Sequence, residues 1–388
     1  MLSLLLRFCL LLSFVALVFG VPTPALAANT VTWQSVPATT GEYRKAIAPQ
    51  DWHFPADFGP HNDYQTEWWY YTGNLETAEG RPFGYQLTFF RQAIAPTPAT
   101  KANQSGWRTN QIYSAHFTVS DIEGKGFYPD ERFSRNVVGL AGAESKPYRV
   151  WLNDWSATEL EPGKVQLQAK TDAVAIDLTV EQTRPPVLQG DRGLSIKGLE
   201  PGNASYYYSL VQQPTRGTVT IQDKTFAVQG KTWKDHEYST SALTAGTVGW
   251  DWFSIQLKDG SALMLYQLRH EDGSREITSA GTFISASGET TPLKYDDWTL
   301  NVLDTWKSPR SKASYPAEWK IQIPRLNLSL QGRSLLPDQE LNTSTATYWE
   351  GATAFTGTVQ NQSVQGEGYV ELTGYATRLD SLLSASTP

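Results

Sequence analysis

One aromatic strand pattern occurs twice in this chain, and it restricts the fold more than any other feature. The first copy is Glu67-Trp-Trp-Tyr-Tyr-Thr-Gly-Asn-Leu75 and the second is Gly249-Trp-Asp-Trp-Phe-Ser-Ile-Gln-Leu257. In register, Trp68 matches Trp250, Tyr70 matches Trp252, Tyr71 matches Phe253 and Leu75 matches Leu257. A glycine turn follows each copy, at Gly80 and Gly260. An apolar strand ending in arginine comes next, Gln86 to Arg91 and Met264 to Arg269. A third strand follows in both halves, Ala115 to Asp121 and Ala280 to Ser285. Strand, turn, strand, strand, used twice, predicts two related β units in tandem.

At 388 residues the chain is long enough for two such units. Residues 1–27 carry one charge, Arg7, an apolar run from Phe8 to Phe19, and the small-residue site Ala25-Leu-Ala27. This predicts a secretory signal peptide and an exported protein, periplasmic or secreted. Its only cysteine, Cys9, lies in that segment, so mature protein would hold no disulfide and no thiolate metal site. A net charge of −7 argues against nucleic acid as a partner. The 14 Trp, 18 Tyr and 15 Phe suit strands and the walls of pockets for apolar ligands.

Residues 28–44 read as an irregular leader. An N-terminal lipocalin-like barrel is expected over 45–228 and a C-terminal one over 229–380. Ala173-Val-Ala-Ile-Asp-Leu-Thr-Val180 alternates apolar and polar residues, a half-buried strand signal. The segment between Arg91 and Ser114, rich in Pro, Ala, Gln and Asn, reads as a long loop at a barrel mouth.

The densest polar cluster is Gly230-Lys-Thr-Trp-Lys-Asp-His-Glu-Tyr-Ser-Thr240. On an extended segment Asp235 and Glu237 share one face and His236 takes the other. Desolvation beside aromatic walls raises a carboxyl pKa, which would let Asp235 donate a proton; His236 could orient it or act as a base. An interdomain hydrogen-bond network is the structural alternative for the same residues. Trp250 and Trp252 share a strand face with Asp251 opposite; if the indoles face the barrel interior they form an apolar wall, and Asp251 then faces the domain interface or solvent. The chain has no Gly-x-Ser-x-Gly elbow, no His-Glu-x-x-His, no phosphate loop and no dinucleotide fingerprint. Neither a metal nor a cofactor is expected from its motifs.

Several linked motifs resemble the CrtC/AttH family of lipocalin-like proteins, which includes carotenoid 1,2-hydratases and predicted secreted hydrolases. They are Trp52-x-Phe-Pro-x-Asp-x-Gly-x-His61, Glu67-Trp-Trp-Tyr-x-Thr-Gly73, Trp233-x-Asp-His-Glu237, Gly249-Trp-Asp-Trp-Phe253, Tyr348-Trp-Glu-Gly351 and Gly366-x-Gly-Tyr-Val-Glu-Leu-Thr-Gly-Tyr375. The resemblance implies an all-β protein of two tandem calycin-type antiparallel barrels with a site near their interface. It implies Asp235 as the counterpart of the hydratases' acid, with His236 and Glu237 beside it. The run Trp233 to Tyr238 is similar to the exported AttH-like branch, whose members are linked to ABC-type transporters.

Two functions follow as expectations. The first is an exported binder of a lipid, isoprenoid or carotenoid, with Trp68, Tyr70, Trp233, Tyr238, Trp250 and Trp252 as ligand-binding residues and a transport accessory role. The second is a cofactor-independent hydratase acting on an isoprenoid double bond through Asp235. A third reading makes the chain a structural partner of a membrane transporter.

Overall fold

A computed structural model describes residues 43–94, 109–240, 244 and 246–378. The expected signal peptide, nearly all of the leader, and most of the loop after Arg91 lie outside the described residues.

The described chain is almost entirely antiparallel β-structure, divided between two sheets. The first runs in the order Gly126–Arg135, Gln111–Asp121, Pro82–Ala93, Thr66–Glu76, Lys224–Ser239, Ala204–Ile221, Val174–Glu181, Lys164–Lys170, Trp155–Glu161, Tyr148–Leu152 and Ala141–Ser145. The second runs Thr290–Leu293, Ala280–Ile284, Ala262–His270, Thr247–Leu257, Gln362–Leu372, Thr347–Val359, Leu328–Ser334, Ser314–Ile323 and Thr299–Lys307. One of the two sheets curls into a nearly closed barrel and the other into a half-barrel. The repeat therefore folds as the aromatic pattern requires, with Thr66–Glu76 and Thr247–Leu257 in like positions. Gly80 and Gly260 take φ of +86° and +89°, left-handed values that only glycine adopts without strain.

Burial follows the residue alternation where one face is solvated. Val174, Ile176, Leu178 and Val180 are buried while Asp177 between them is exposed. In Thr66–Glu76 seven consecutive residues, Trp69 to Leu75, are buried, because both faces of that strand are covered. Trp69, Tyr71 and Leu75 enter the core of the first barrel with Phe83, Tyr85, Leu87, Phe117 and Trp155. Tyr70 joins a separate apolar layer between the two sheets, with Tyr207, Trp233, Trp252, Met264, Tyr266, Ala352 and Tyr369. Phe253, Ile255 and Leu257 enter the second core with Trp298, Trp319 and Trp349. Three cores thus share two double-sided walls.

Small residues allow the sheets to approach. A Cβ on Gly84 would lie 2.7 Å from the Ala352 Cβ and 2.8 Å from the Tyr369 hydroxyl. Polar groups tie the layers together: Asn74 Nδ2 donates to the Gly368 carbonyl at 3.1 Å, and Ser120 Oγ to Gln339 Oε1 at 2.7 Å. A bulge between Leu210 and Gln213 swings Gln212 across, where its amide donates to the carbonyls of Leu257 and Ser261.

One expectation changes and one open alternative closes. Residues 229–239, read as the start of the second barrel, complete the Lys224–Ser239 strand and pair within the first sheet. Trp250 and Trp252 face the layer between the sheets rather than a barrel interior. Asp251 turns inward to the second half, bonded to Arg269 Nε at 2.9 Å and to Gln267 and Tyr375. Alternation fixes which residues share a face but not which of two buried faces is the barrel.

Candidate active site between the sheets

The Lys224–Ser239 strand is extended through Asp235, His236 and Glu237, so these side chains alternate across the wall. Asp235 faces the second sheet. It is 4 % exposed and accepts three hydrogen bonds. Tyr207 Oη donates to Oδ2 at 2.6 Å, while Ser209 Oγ at 2.5 Å and Trp233 Nε1 at 2.7 Å donate to Oδ1. Trp252 Nε1 in turn donates to the Tyr207 oxygen at 3.1 Å. Burial pushes the Asp235 carboxyl up to about 7; the three donors favour the anion, and the neighbouring Glu237 charge adds to the rise.

Glu237 lies on the same face, accepting from Ser205 and from Lys197 Nζ at 3.0 Å. Burial works against the Lys197 ammonium, but Glu237, Tyr266 and Asp235 hold it charged above its ordinary range. Glu350 and Glu371 enter from the second sheet. Glu350 is 0 % exposed and Tyr70 Oη donates to its Oε1 at 2.5 Å. Half-buried Glu371 accepts from Trp250 Nε1 at 2.8 Å. Burial pushes Glu371 up to about 7, with Glu237 and Asp235 adding to the rise. It drives Glu350 well above the carboxylate range, and the Glu371 charge adds to that. The result is a cluster of carboxyls, several of them holding protons near neutrality, against the rings of Trp68, Tyr70, Tyr207, Trp233, Trp250 and Trp252. Trp68, Trp250, Glu371 and Lys197 are half-buried and mark the accessible edge. A surface hollow of about 520 Å³ is bounded by Arg184, Val187, Arg192, Thr282 and Ile284, and none of these carboxyls lines it.

His236 takes the other face and does not touch Asp235. Its Nε2 donates to Glu67 Oε1 at 2.8 Å, and its Nδ1 accepts from Tyr208 Oη at 2.8 Å. Burial lowers its pKa to about 4, so it is neutral, and it cannot orient Asp235 as the sequence reading allowed. Tyr238 shares that face, its ring stacked on His61 at 3.7 Å. Among the nine residues named from sequence, seven converge between the sheets and these two do not. The carboxylate of Glu67 binds Arg91 Nε at 2.9 Å and His61 Nδ1 at 2.8 Å. Burial alone would raise the Glu67 pKa; the Arg91 charge and the two histidines outweigh it and hold it well below the usual range. His61, Glu67 and His236 offer ligand atoms within 4.8 Å of one another, a spacing that could hold an ion. As they stand these atoms bond to each other, and the Arg91 guanidinium supplies the positive charge.

Sequence reasoning missed Tyr207, Ser209, Glu350 and Glu371 as site residues. A usable signal was present. Trp349-Glu-Gly351 and Tyr369-Val-Glu-Leu372 each place a carboxylate inside an otherwise apolar strand, where only a buried task or partner explains it.

This two-sheet, all-β body is the fold shared with the AttH-like family. The family's profile matches residues 45–375, and the chain belongs to that family. A solved AttH-type protein from Nitrosomonas europaea superposes with a TM-score of 0.76 at 34 % identity, over 86 % of this chain and 99 % of that one. The chain is also similar to kievitone hydratase of Fusarium solani subsp. phaseoli, 28 % identical over 245 residues, 61 % of this chain and 68 % of the relative. It is 26 % identical over 219 residues to dehydratase asqC of Emericella nidulans, covering 54 % of this chain and 60 % of the relative.

Proposed function

We propose that this protein is a cofactor-independent hydratase or dehydratase that adds water to, or removes it from, a hydrophobic small molecule, with an isoprenoid-type double bond as the reacting group. The observation that carries this reading is Asp235, a buried carboxyl poised to hold a proton near neutrality against an aromatic-rich layer. Protonating an alkene needs a neutral acid at working pH, and a carboxyl raised to about 7 supplies it. The cation that forms is stabilised by the faces of neighbouring rings, as any cation over an indole or phenol is. Tyr207, Ser209 and Trp233 then stabilise the Asp235 anion left behind.

The carrier reading is supported by the same aromatic residues but gives the carboxyls no task. Four acidic side chains in an apolar layer are costly and would weaken the binding of a purely apolar ligand. Relatives named as a hydratase and a dehydratase support a reaction of that class.

The test is turnover of a panel of prenylated phenols and acyclic isoprenoid alkenes, followed by mass gain or loss of one water. Asp235→Asn should reduce turnover by about 10²–10⁴-fold, the range for removing a general acid. Equal turnover by wild type and Asp235→Asn, with native circular dichroism, would remove Asp235 from the chemistry.

A further inference from the structure

Glu350 and Glu371 are directly opposite one another on the adjacent strands Thr347–Val359 and Gln362–Leu372. Directly paired residues project from the same face of a sheet, and like charges so placed repel. Neither glutamate has an ion-pair partner among the described residues. Glu350 Oε1 accepts from Tyr70, and its Oε2, fully buried, has no hydrogen-bond partner. An ionised Glu350 would therefore be a buried charge with one bare oxygen beside a second carboxylate, so this member of the pair keeps its proton. Glu371 sits at the half-buried edge, where Trp250 Nε1 donates to it. It also lies directly opposite Trp252, whose indole reaches Tyr207 and through it Asp235. The titratable and charged groups packed around the pair are Tyr70, Tyr348, Tyr369, Asp235, Glu237 and Lys197, with Tyr207 on the Asp235 side.

We propose that Glu371 is the second proton-transfer residue of this site, working opposite Asp235 and kept in balance by protonated Glu350. This rests on the hydratase reading above. In the hydration direction the Asp235 O–H bond breaks and its proton forms a C–H bond with the π electrons of the alkene. The adjacent carbon becomes the cation. The oxygen of a water at the Glu371 edge forms the C–O bond, and one of its O–H bonds breaks, the proton going to the Glu371 carboxylate. The product is the alcohol. Glu371 releases its proton to solvent and Asp235 regains one, so alkene plus water balances alcohol with no oxidant or reductant. Dehydration runs the same steps backwards, with Glu371 protonating the leaving hydroxyl.

The experiment compares Glu371→Gln, Glu371→Ala and Asp235→Asn on the same alkene panel, with turnover followed across pH 5 to 9. Glu371→Gln should lose about 10²-fold in kcat with little change in KM. It should also lose the acidic limb of the pH profile, because no base remains to be deprotonated. Added formate should restore part of the Glu371→Ala activity, which a merely structural glutamate would not allow. Asp235→Asn should lose the alkaline limb instead. Loss of turnover in Asp235→Asn with full turnover and an intact acidic limb in Glu371→Gln would overturn this proposal and leave the hydratase reading standing. Retained turnover in both would sink both. An infrared pH titration supplies a readout independent of substrate: the carboxylic-acid carbonyl band near neutrality should shrink in Glu371→Gln relative to wild type. A band unchanged by that substitution would overturn the shared proton balance even if no compound in the panel reacts.

Discussion

Replacing Glu67 by Gln should be among the most damaging single changes outside the proposed site. Glu67 and Arg91 are 1 % and 0 % exposed, and the carboxylate also accepts from His61 and His236. At the 2.9 Å separation of Arg91 Nε and Glu67 Oε2, the Coulomb attraction at an effective dielectric of about 20 is about 6 kcal/mol. Glu67→Gln removes that attraction while leaving the guanidinium buried, a situation that costs about 3–5 kcal/mol in comparable pairs. Arg91→Met strands the carboxylate and should cost about as much. The double variant Glu67→Gln/Arg91→Met contains neither charge, so its loss should fall at least ~2 kcal/mol short of the sum of the single losses. Urea unfolding followed by tryptophan fluorescence gives all three values. The sign with pH follows from the depressed Glu67 pKa. Its stabilisation is fully present above the unfolded carboxyl value of about 4.3 and is lost as pH falls through the lower folded value. Additive single losses, or a Glu67→Gln protein as stable as wild type, would refute the view that a buried ion pair anchors the loop around His61 to the barrel.

Other expectations follow from the same structure. Asp235 and Glu371 have folded pKa values raised to about 7, so between about pH 4 and 7 the folded chain holds protons that the unfolded chain has lost; stability should fall as pH rises through that window, and Asp235→Asn should flatten the fall in urea midpoints. Lys234 is buried among the rings of Phe58, Tyr71, Tyr148 and Tyr208, and burial alone lowers its pKa to about 7. The unfolded lysine stays protonated up to about pH 10, so stability should rise between about pH 7 and 10. Lys234→Met should raise the unfolding midpoint, more at pH 6 than at pH 9. Gly84→Val should cost about 1–3 kcal/mol by forcing the layer against Ala352 and Tyr369, seen as a lower melting temperature.

Much of this was legible in the chain. The Trp68 and Trp250 strands, the turn glycines, the alternation at Ala173–Val180 and the family resemblance all pointed to two antiparallel β units. Asp235 and Glu237 could be placed on one face because a strand has a period of two. The opposite face was legible too, and it is where His236 and Tyr238 lie. What the residues did not reveal was which face met which core. Strands such as Thr66–Glu76 and Thr247–Leu257 are covered on both sides, so hydrophobicity carries no direction there, and the side that Trp250, Trp252 and Asp251 each take stays open in the sequence. Glu350 and Glu371 were hidden for another reason: Glu371 is brought opposite Trp252 by a strand pairing more than a hundred residues apart in sequence, and the pair faces Asp235 only once one sheet packs on the other, which no local pattern encodes.

The sharing of walls among three cores has a consequence for anyone who would take this protein apart. Each half carries one face of the middle layer: Tyr70, Tyr207 and Trp233 on the first sheet, Trp252, Met264 and Tyr369 on the second. Expressed separately, each half would present those rings to water as a sticky patch and would carry only part of the carboxyl set, Asp235 in one fragment and Glu371 in the other. The two fragments should therefore be poor proteins alone and good candidates for complementation. Reassembly after co-expression would regenerate the buried layer and the carboxyl cluster together, making recovered solubility and recovered site formation a single event.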